Sequence, residues 1–309
     1  MDPVTIDQVR LNFNPTGIAI LNAAIGLLML GVAIELKVED FKRIIKSPKA
    51  PLIGLVAQFI LLPAFTFLLI TIVKPHPSIA LGMMLVAACP GGNVSNIITH
   101  LANGNCAVSI SMTAISTVAA IIMTPFNIAF WGSMNPGTAS ILKQVSLNPA
   151  DIFITVFLIL GIPLIVGMAI GHYLPNLAQK VKKPFKIFSM IFFLLIVCAA
   201  LAANWQNFLN CVGIVMLLVL IHNALALNIG YWSGRLFKLS ERDCRAVCIE
   251  VGIQNSALGL VLVFGFFGGL GGMAILVGWW GIWHIIAGLI TSVIFNRRKL
   301  PENELNPAS

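Results

Sequence analysis

Residues 249–257 read IEVGIQNSA, and leucine, valine and phenylalanine crowd the positions after them, in LGLVLVFGFF. A carboxylate, two carboxamides and a hydroxyl therefore stand inside an apolar run. Glu250 is an acidic residue deep in such a run, and the fold must explain what it is for.

The rest of the chain makes that position costly. Of 309 residues, 58% are hydrophobic and 10% are charged, with a mean hydropathy of +0.95. Apolar stretches of about 20 residues recur along the whole length, and each is long enough to cross a hydrocarbon layer ~30 Å thick as a helix. The composition describes an all-α polytopic membrane protein. Residues 1–15 lack the basic start and small-residue cleavage site of a secretory leader. The six cysteines (89, 106, 198, 211, 244 and 248) show no CxxC or zinc spacing, and disulfides are not expected.

Punctuation by Pro, Gly, Asn and charge divides the sequence into nine spans, at about 16–36, 50–73, 77–102, 105–131, 150–174, 185–204, 207–232, 243–265 and 269–296. Basic residues follow spans 1, 5, 7 and 9. They are Lys37, Lys42, Arg43, Lys46 and Lys49; Lys180, Lys182, Lys183 and Lys186; Arg235, Lys238, Arg242 and Arg245; and Arg297, Arg298 and Lys299. Only Arg10, Lys74 and Lys143 fall on the other side. This bias orients the chain with its N-terminus outside and its C-terminus in the cytoplasm. It also accounts for the net charge of +8 without any nucleic-acid partner. No Lys or Arg is expected within a hydrophobic core.

Span 3 carries CPGGNVSN at 89–96. Pro90 has no backbone donor and Gly91-Gly92 are poor helix formers, so the helix should break near its middle. Span 8 breaks similarly around Gly252, and the two spans run in opposite directions. Paired interruptions of opposite direction point to inverted repeats and a secondary transporter, with its site where the broken helices meet. An open break is tolerated in a membrane only where protein or a water-filled cavity covers it.

An intramembrane carboxylate is expensive and marks a functional site by default. With no basic side chain in the spans, Glu250 needs a proton, an inorganic cation or a cationic substrate. Ser95, Asn96, Ser109, Thr113, Gln58 and Gln254 supply hydroxyl and amide oxygens, which suit a hard ion such as sodium. Ser109 and Thr113 are four apart and share a helix face. His222, Asn223 and His284 read as structural hydrogen-bonders, and Pro63, Pro125 and Pro163 as kinks. No GxSxG or HExxH signature suggests an enzyme, and no continuous polar lining suggests a channel.

CPGGNVSN, the Ser109/Thr113 helix, IEVGIQNSA and the Trp283-His284 pair together resemble the bile acid:sodium symporter family, in a nine-span, bacterial-type form. The resemblance covers the chain from span 1 onward. It implies a core domain (50–131 and 207–296), a panel domain (16–36 and 150–204), an extracytoplasmic segment (1–15) and a cytoplasmic tail (297–309). Spans 3 and 8 would cross in the core. It implies two sodium sites, one of Ser95, Asn96, Ser109, Thr113 and Glu250, the other of Gln58, Glu250 and Gln254 with the carbonyls of Val251 and Ile253. Substrate contacts would come from Asn93, Asn255 and His284. Ile285 departs from the Asn that some bacterial relatives have after that His. The function implied is sodium-coupled symport of organic anions, bile acid-like or small carboxylates such as pantoate. The carrier would work as a monomer among lipids in the cell (inner) membrane. A proton-coupled carrier is the nearest alternative.

Overall fold

The computed structural model describes residues 38–144, 157–181 and 205–298 almost without interruption, with isolated positions elsewhere. Spans 1 and 6, as read from the sequence, lie almost wholly outside the described residues. Within them the chain is helical, and no strand of more than one bridge pair occurs among the described residues.

Among the described residues four helices are long and apolar enough to cross a membrane: α2 (Lys49–Val73), α5 (Cys106–Met134), α8 (Trp205–Leu236, apolar from Gly213) and α11 (Gly271–Arg297). Shorter helices fill the intervals: α1 (Val38–Lys46), α3 (Pro77–Ala88), α4 (Val94–Leu101), α6 (Pro136–Gln144), α7 (Ile162–Tyr173), α9 (Glu241–Gly252) and α10 (Ser256–Phe266). Span 3 is thus α3 and α4 with a gap at 89–93, and span 8 is α9 and α10 with a gap at 253–255. Both breaks fall where Pro90 and the glycines place them.

α3 is buried along every residue after its first proline, and α10 is buried along most of its length. They meet α11 in the largest apolar cluster, around Leu81, Leu85, Leu262, Leu276 and Trp280. The long helices instead turn leucine, isoleucine and phenylalanine outward, as at Leu52, Ile60, Phe65, Ile72, Ile122, Phe126, Ile286 and Ile290. A solvent of hydrocarbon tolerates that surface.

The breaks hold each other. Gly91 and Gln254 form an antiparallel bridge, in which Gly92 N donates to Ile253 O at 2.9 Å and Asn255 N donates to Pro90 O at 2.8 Å. Diverting the Gly92 donor leaves Ala88 O without its helical partner, and Thr124 Oγ1 supplies one at 2.6 Å. Pro90 cannot serve Val86 O, so Cys89 N turns back to it at 3.1 Å. Freed carbonyls are costly in an apolar interior, and here they are taken up by neighbouring helices.

Arg245 counts among the basic residues that follow span 7, at the very start of span 8, and the structure shows it turned inward and not left among the exposed basic residues. Ser240 caps α9 by accepting from Asp243 N at 3.1 Å, so the helix starts at Glu241 and carries Arg245 inward. Its side chain is 1% exposed. The guanidinium donates to Glu241 (3.1 Å) and to the carbonyls of Ala102 and Arg298 (3.0 Å each), and it lies over the Phe295 ring. Five residues separate it from Glu250, ~7.5 Å along the axis and on a different face, so it provides no counter-charge there.

Candidate ion-binding site at the helix crossing

Glu250 lies on the last turn of α9, 1% exposed, beside the bridge. Its Oε2 accepts from Ser95 Oγ at 2.5 Å and from Ser109 Oγ at 3.0 Å, and its Oε1 accepts from Thr113 Oγ1 at 2.6 Å. Ser95 comes from α4, just past the first break. Ser109 and Thr113 come from the first turns of α5, which Asn105 starts by accepting from Ala107 N and Val108 N. Asn96 Oδ1 joins them, 2.8 Å from Ser109 Oγ and 3.3 Å from Thr113 Oγ1. Five residues that the sequence singles out, from positions 95 to 250, therefore meet as one cluster of oxygens.

Among the described residues, every hydrogen-bond partner of the Glu250 carboxylate is a neutral hydroxyl. A hydroxyl has one proton and two lone pairs. The same groups that donate to a lone carboxylate can turn their lone pairs toward a cation placed beside it. The donor set is hard oxygen throughout, which fits an alkali or alkaline-earth ion and not a soft metal.

The second group gathers on the other side of the break. Gln58 Nε2 donates to Cys89 O at 2.7 Å and to Gln254 Oε1 at 2.8 Å, while Gln254 Nε2 donates to Val251 O at 2.6 Å. Ile253 O takes the Gly92 amide in the bridge. Gln58 Oε1 is buried without a hydrogen-bond partner among the described residues. An orphaned acceptor next to freed main-chain carbonyls is what a cation would satisfy.

Gln58 reaches this place because α2 is not a regular helix. Ala57–Leu61 form one wide π turn, in which Leu62 N reaches back five residues to Ala57 O. Pro63 denies Phe59 O its usual donor, and Asn127 Nδ2 on α5 supplies one at 3.1 Å. Trp131 Nε1 steadies Asn127 by donating to its Oδ1 at 3.2 Å. Neither Thr124 nor Asn127 stands out in the sequence, where Pro63 reads as a simple kink. The available signal is a buried Asn in span 4 opposite a proline-interrupted span 2. Replacing Asn127 with Leu should lower the unfolding free energy by about 1–3 kcal/mol, the cost of one orphaned buried polar group. Thermal unfolding in detergent measures it. Adding Pro63→Ala, which returns an N–H to the helix, should recover stability while turning Gln58 out of place.

The expected substrate residues are distributed differently. Asn93 and Asn255 stand at the N-terminal ends of α4 and α10, both half-buried, and Asn255 Oδ1 accepts from Leu258 N at 3.0 Å. His284 is 5% exposed, with Nδ1 at 3.2 Å from Ser256 Oγ. Ile285, its neighbour, is exposed. His222 pairs with Thr66 Oγ1 at 2.7 Å and packs against Trp280.

Residues 23–211, more than half of the chain, match the Sodium Bile acid symporter family. Over 274 residues the chain is 28% identical to the "Uncharacterized sodium-dependent transporter YocS" of Bacillus subtilis, covering 89% of this chain and 82% of that protein. It is 30% identical over 245 residues to the "Probable sodium/metabolite cotransporter BASS2, chloroplastic" of Oryza sativa subsp. japonica, covering 79% of this chain and 56% of that one. Against the human "Ileal sodium/bile acid cotransporter" the identity is 28% over 241 residues, 77% of this chain and 67% of the other. The chain thus spans most of the bacterial relative and little more than half of the plant one.

Proposed function

The chain belongs to the sodium bile acid symporter family, and from that premise we propose that it carries organic anions across a membrane together with sodium ions, by alternating access. It is a multi-pass membrane protein and a transporter, not an enzyme. One sodium ion binds among Ser95, Asn96, Ser109, Thr113 and Glu250. The second binds among Gln58, Glu250 and Gln254 with the carbonyls of Val251 and Ile253. The observation that carries this reading is Glu250 itself, a buried carboxylate at the crossing whose partners among the described residues are uncharged hydroxyls. A proton carrier needs one acceptor. The second, amide-and-carbonyl group around Gln58 offers several oxygens at once, and with Gln58 Oε1 unpaired among the described residues it suits sodium better than the proton.

Two ions against one ionised Glu250 leave a net positive centre. The N-terminal ends of α4 and α10 also point into the crossing and favour negative charge, by up to ~2 kcal/mol in buried geometry. Sodium thereby takes the place of a substrate-binding arginine, and an organic carboxylate binds near Asn93, Asn255 and His284. The substrate is bile acid-like or a small carboxylate such as pantoate. The chain has nine spans related by inverted repeats, with its N-terminus outside and its C-terminus in the cytoplasm of the inner membrane. The core (spans 2–4 and 7–9) rocks against the panel (spans 1, 5 and 6), and a single chain suffices.

The test is uptake of a panel of organic anions into vesicles containing the purified protein, with a sodium gradient, a proton gradient or neither. Uptake of at least one anion should require external sodium. Uptake driven equally well by protons in sodium-free medium would replace this reading with the proton-coupled one.

A further inference from the structure

The arrangement that holds Gln58 occurs a second time, on the other broken helix. Gln58 on α2 donates to the carbonyl of Cys89, where the half-helix before the first break ends. Asn223 on α8 donates its Nδ2 to the carbonyl of Gly252 at 2.7 Å, where the half-helix before the second break ends. Both side chains are buried, at 1% and 0% exposure. Each leaves its side-chain oxygen without a hydrogen-bond partner among the described residues. Neither amide can be turned over, because that would press its oxygen against a main-chain carbonyl oxygen. Both oxygens are therefore acceptors facing buried space, with no donor among the described residues to meet them.

A tie that only had to satisfy Gly252 O would need one donor. Thr124 does that for Ala88 O with a hydroxyl. A carboxamide brings a second strong acceptor, and burying it unpaired is a penalty that a purely structural tie has no reason to carry. The penalty disappears if a cation visits that oxygen during the cycle.

We propose that Asn223 is a coupling-ion residue of the core, the counterpart on α8 of Gln58 on α2. Its Nδ2 fixes the Gly252 carbonyl, and with it the flanking carbonyls of Val251 and Ile253. Its Oδ1 accepts a bound alkali cation. This rests on the sodium reading of the crossing and adds a ligand-bearing residue from a helix to which that reading assigns none.

The experiment is a sodium titration of the purified full-length protein, read by radioactive-sodium binding and by thermal unfolding, with choline as the inert salt. Asn223→Leu keeps the volume and removes both ends of the amide. The half-saturating sodium concentration should rise ~10-fold or more, the usual worth of a hydrogen-bonding group facing a charge. Unfolding in choline should come somewhat earlier, because Gly252 O loses its donor as Phe59 O does in Asn127→Leu, so the sodium titration alone decides. An unchanged sodium titration would reduce Asn223 to a structural tie on Gly252 O and overturn the proposal. Asn223→Asp serves where the leucine variant does not fold. It retains an oxygen and adds charge, so sodium should stabilise it more than the parent, and an equal or smaller gain overturns the proposal. A parent protein indifferent to sodium would refute the underlying transport reading first, visibly, before any variant is made.

Discussion

Glu250→Gln should erase the protein's response to sodium while leaving it folded. The substitution conserves volume and removes only the charge. In the absence of a cation the native carboxylate is a buried anion met by three hydroxyls, so neutralising it should leave the sodium-free protein as stable or make it more stable. With sodium the sign reverses. Attraction between unit charges about 4 Å apart at an effective dielectric of ~20 is worth about 4 kcal/mol. Its loss weakens binding by roughly a thousandfold per ion. Sodium-dependent uptake should fall to background, and the sodium-induced rise in unfolding temperature should vanish. Because the carboxylate serves both proposed sites, one substitution should remove both ions together. A Glu250→Gln variant that still took up substrate on a sodium gradient would end the proposed mechanism.

How far the sequence foretells this site depends on the range over which each part is determined. The breaks are legible because Pro90, Gly91 and Gly92 act on their own turn of helix. Glu250, Ser95, Ser109 and Thr113 are legible because polar residues are conspicuous in an apolar run. The bridge between Gly91 and Gln254 is not legible as a set of bonds, since it pairs residues more than 160 positions apart. Nor is the division of labour among Thr124, Asn127 and Asn223. Each caps a carbonyl whose partner is lost elsewhere, and nothing in a helix's own sequence announces that its neighbour lacks a donor. The burial of Arg245 is hidden for a related reason. The start of its helix is legible to within two residues, but its partners Ala102 and Arg298 lie far away in sequence.

Gly91→Ala should damage the site by geometry alone, less than removing the charge but through the same carboxylate. A Cβ at Gly91 would fall on Oε1 of Glu250 and crowd its Cδ and Cγ. Glutamate ends are ordinarily flexible, but this one is held by three hydroxyls, and Gly91 is held by its bridge to Gln254. One of the two must yield. Overpacking of this kind costs about 1–3 kcal/mol, enough to weaken sodium binding ~5- to 150-fold at about 1.4 kcal/mol per decade. Gly213→Ala is the control, because nothing lies within 4 Å of a Cβ there. It should leave sodium binding unchanged and slightly favour the helix. The stronger test couples the two positions. Shortening the side chain with Glu250→Asp withdraws the carboxylate from the collision, so the pair Gly91→Ala with Glu250→Asp should bind sodium better than the sum of the separate losses allows. Strict additivity would mean that the alanine acts through the bridge and not through the carboxylate, and that the glycine is there for backbone approach alone.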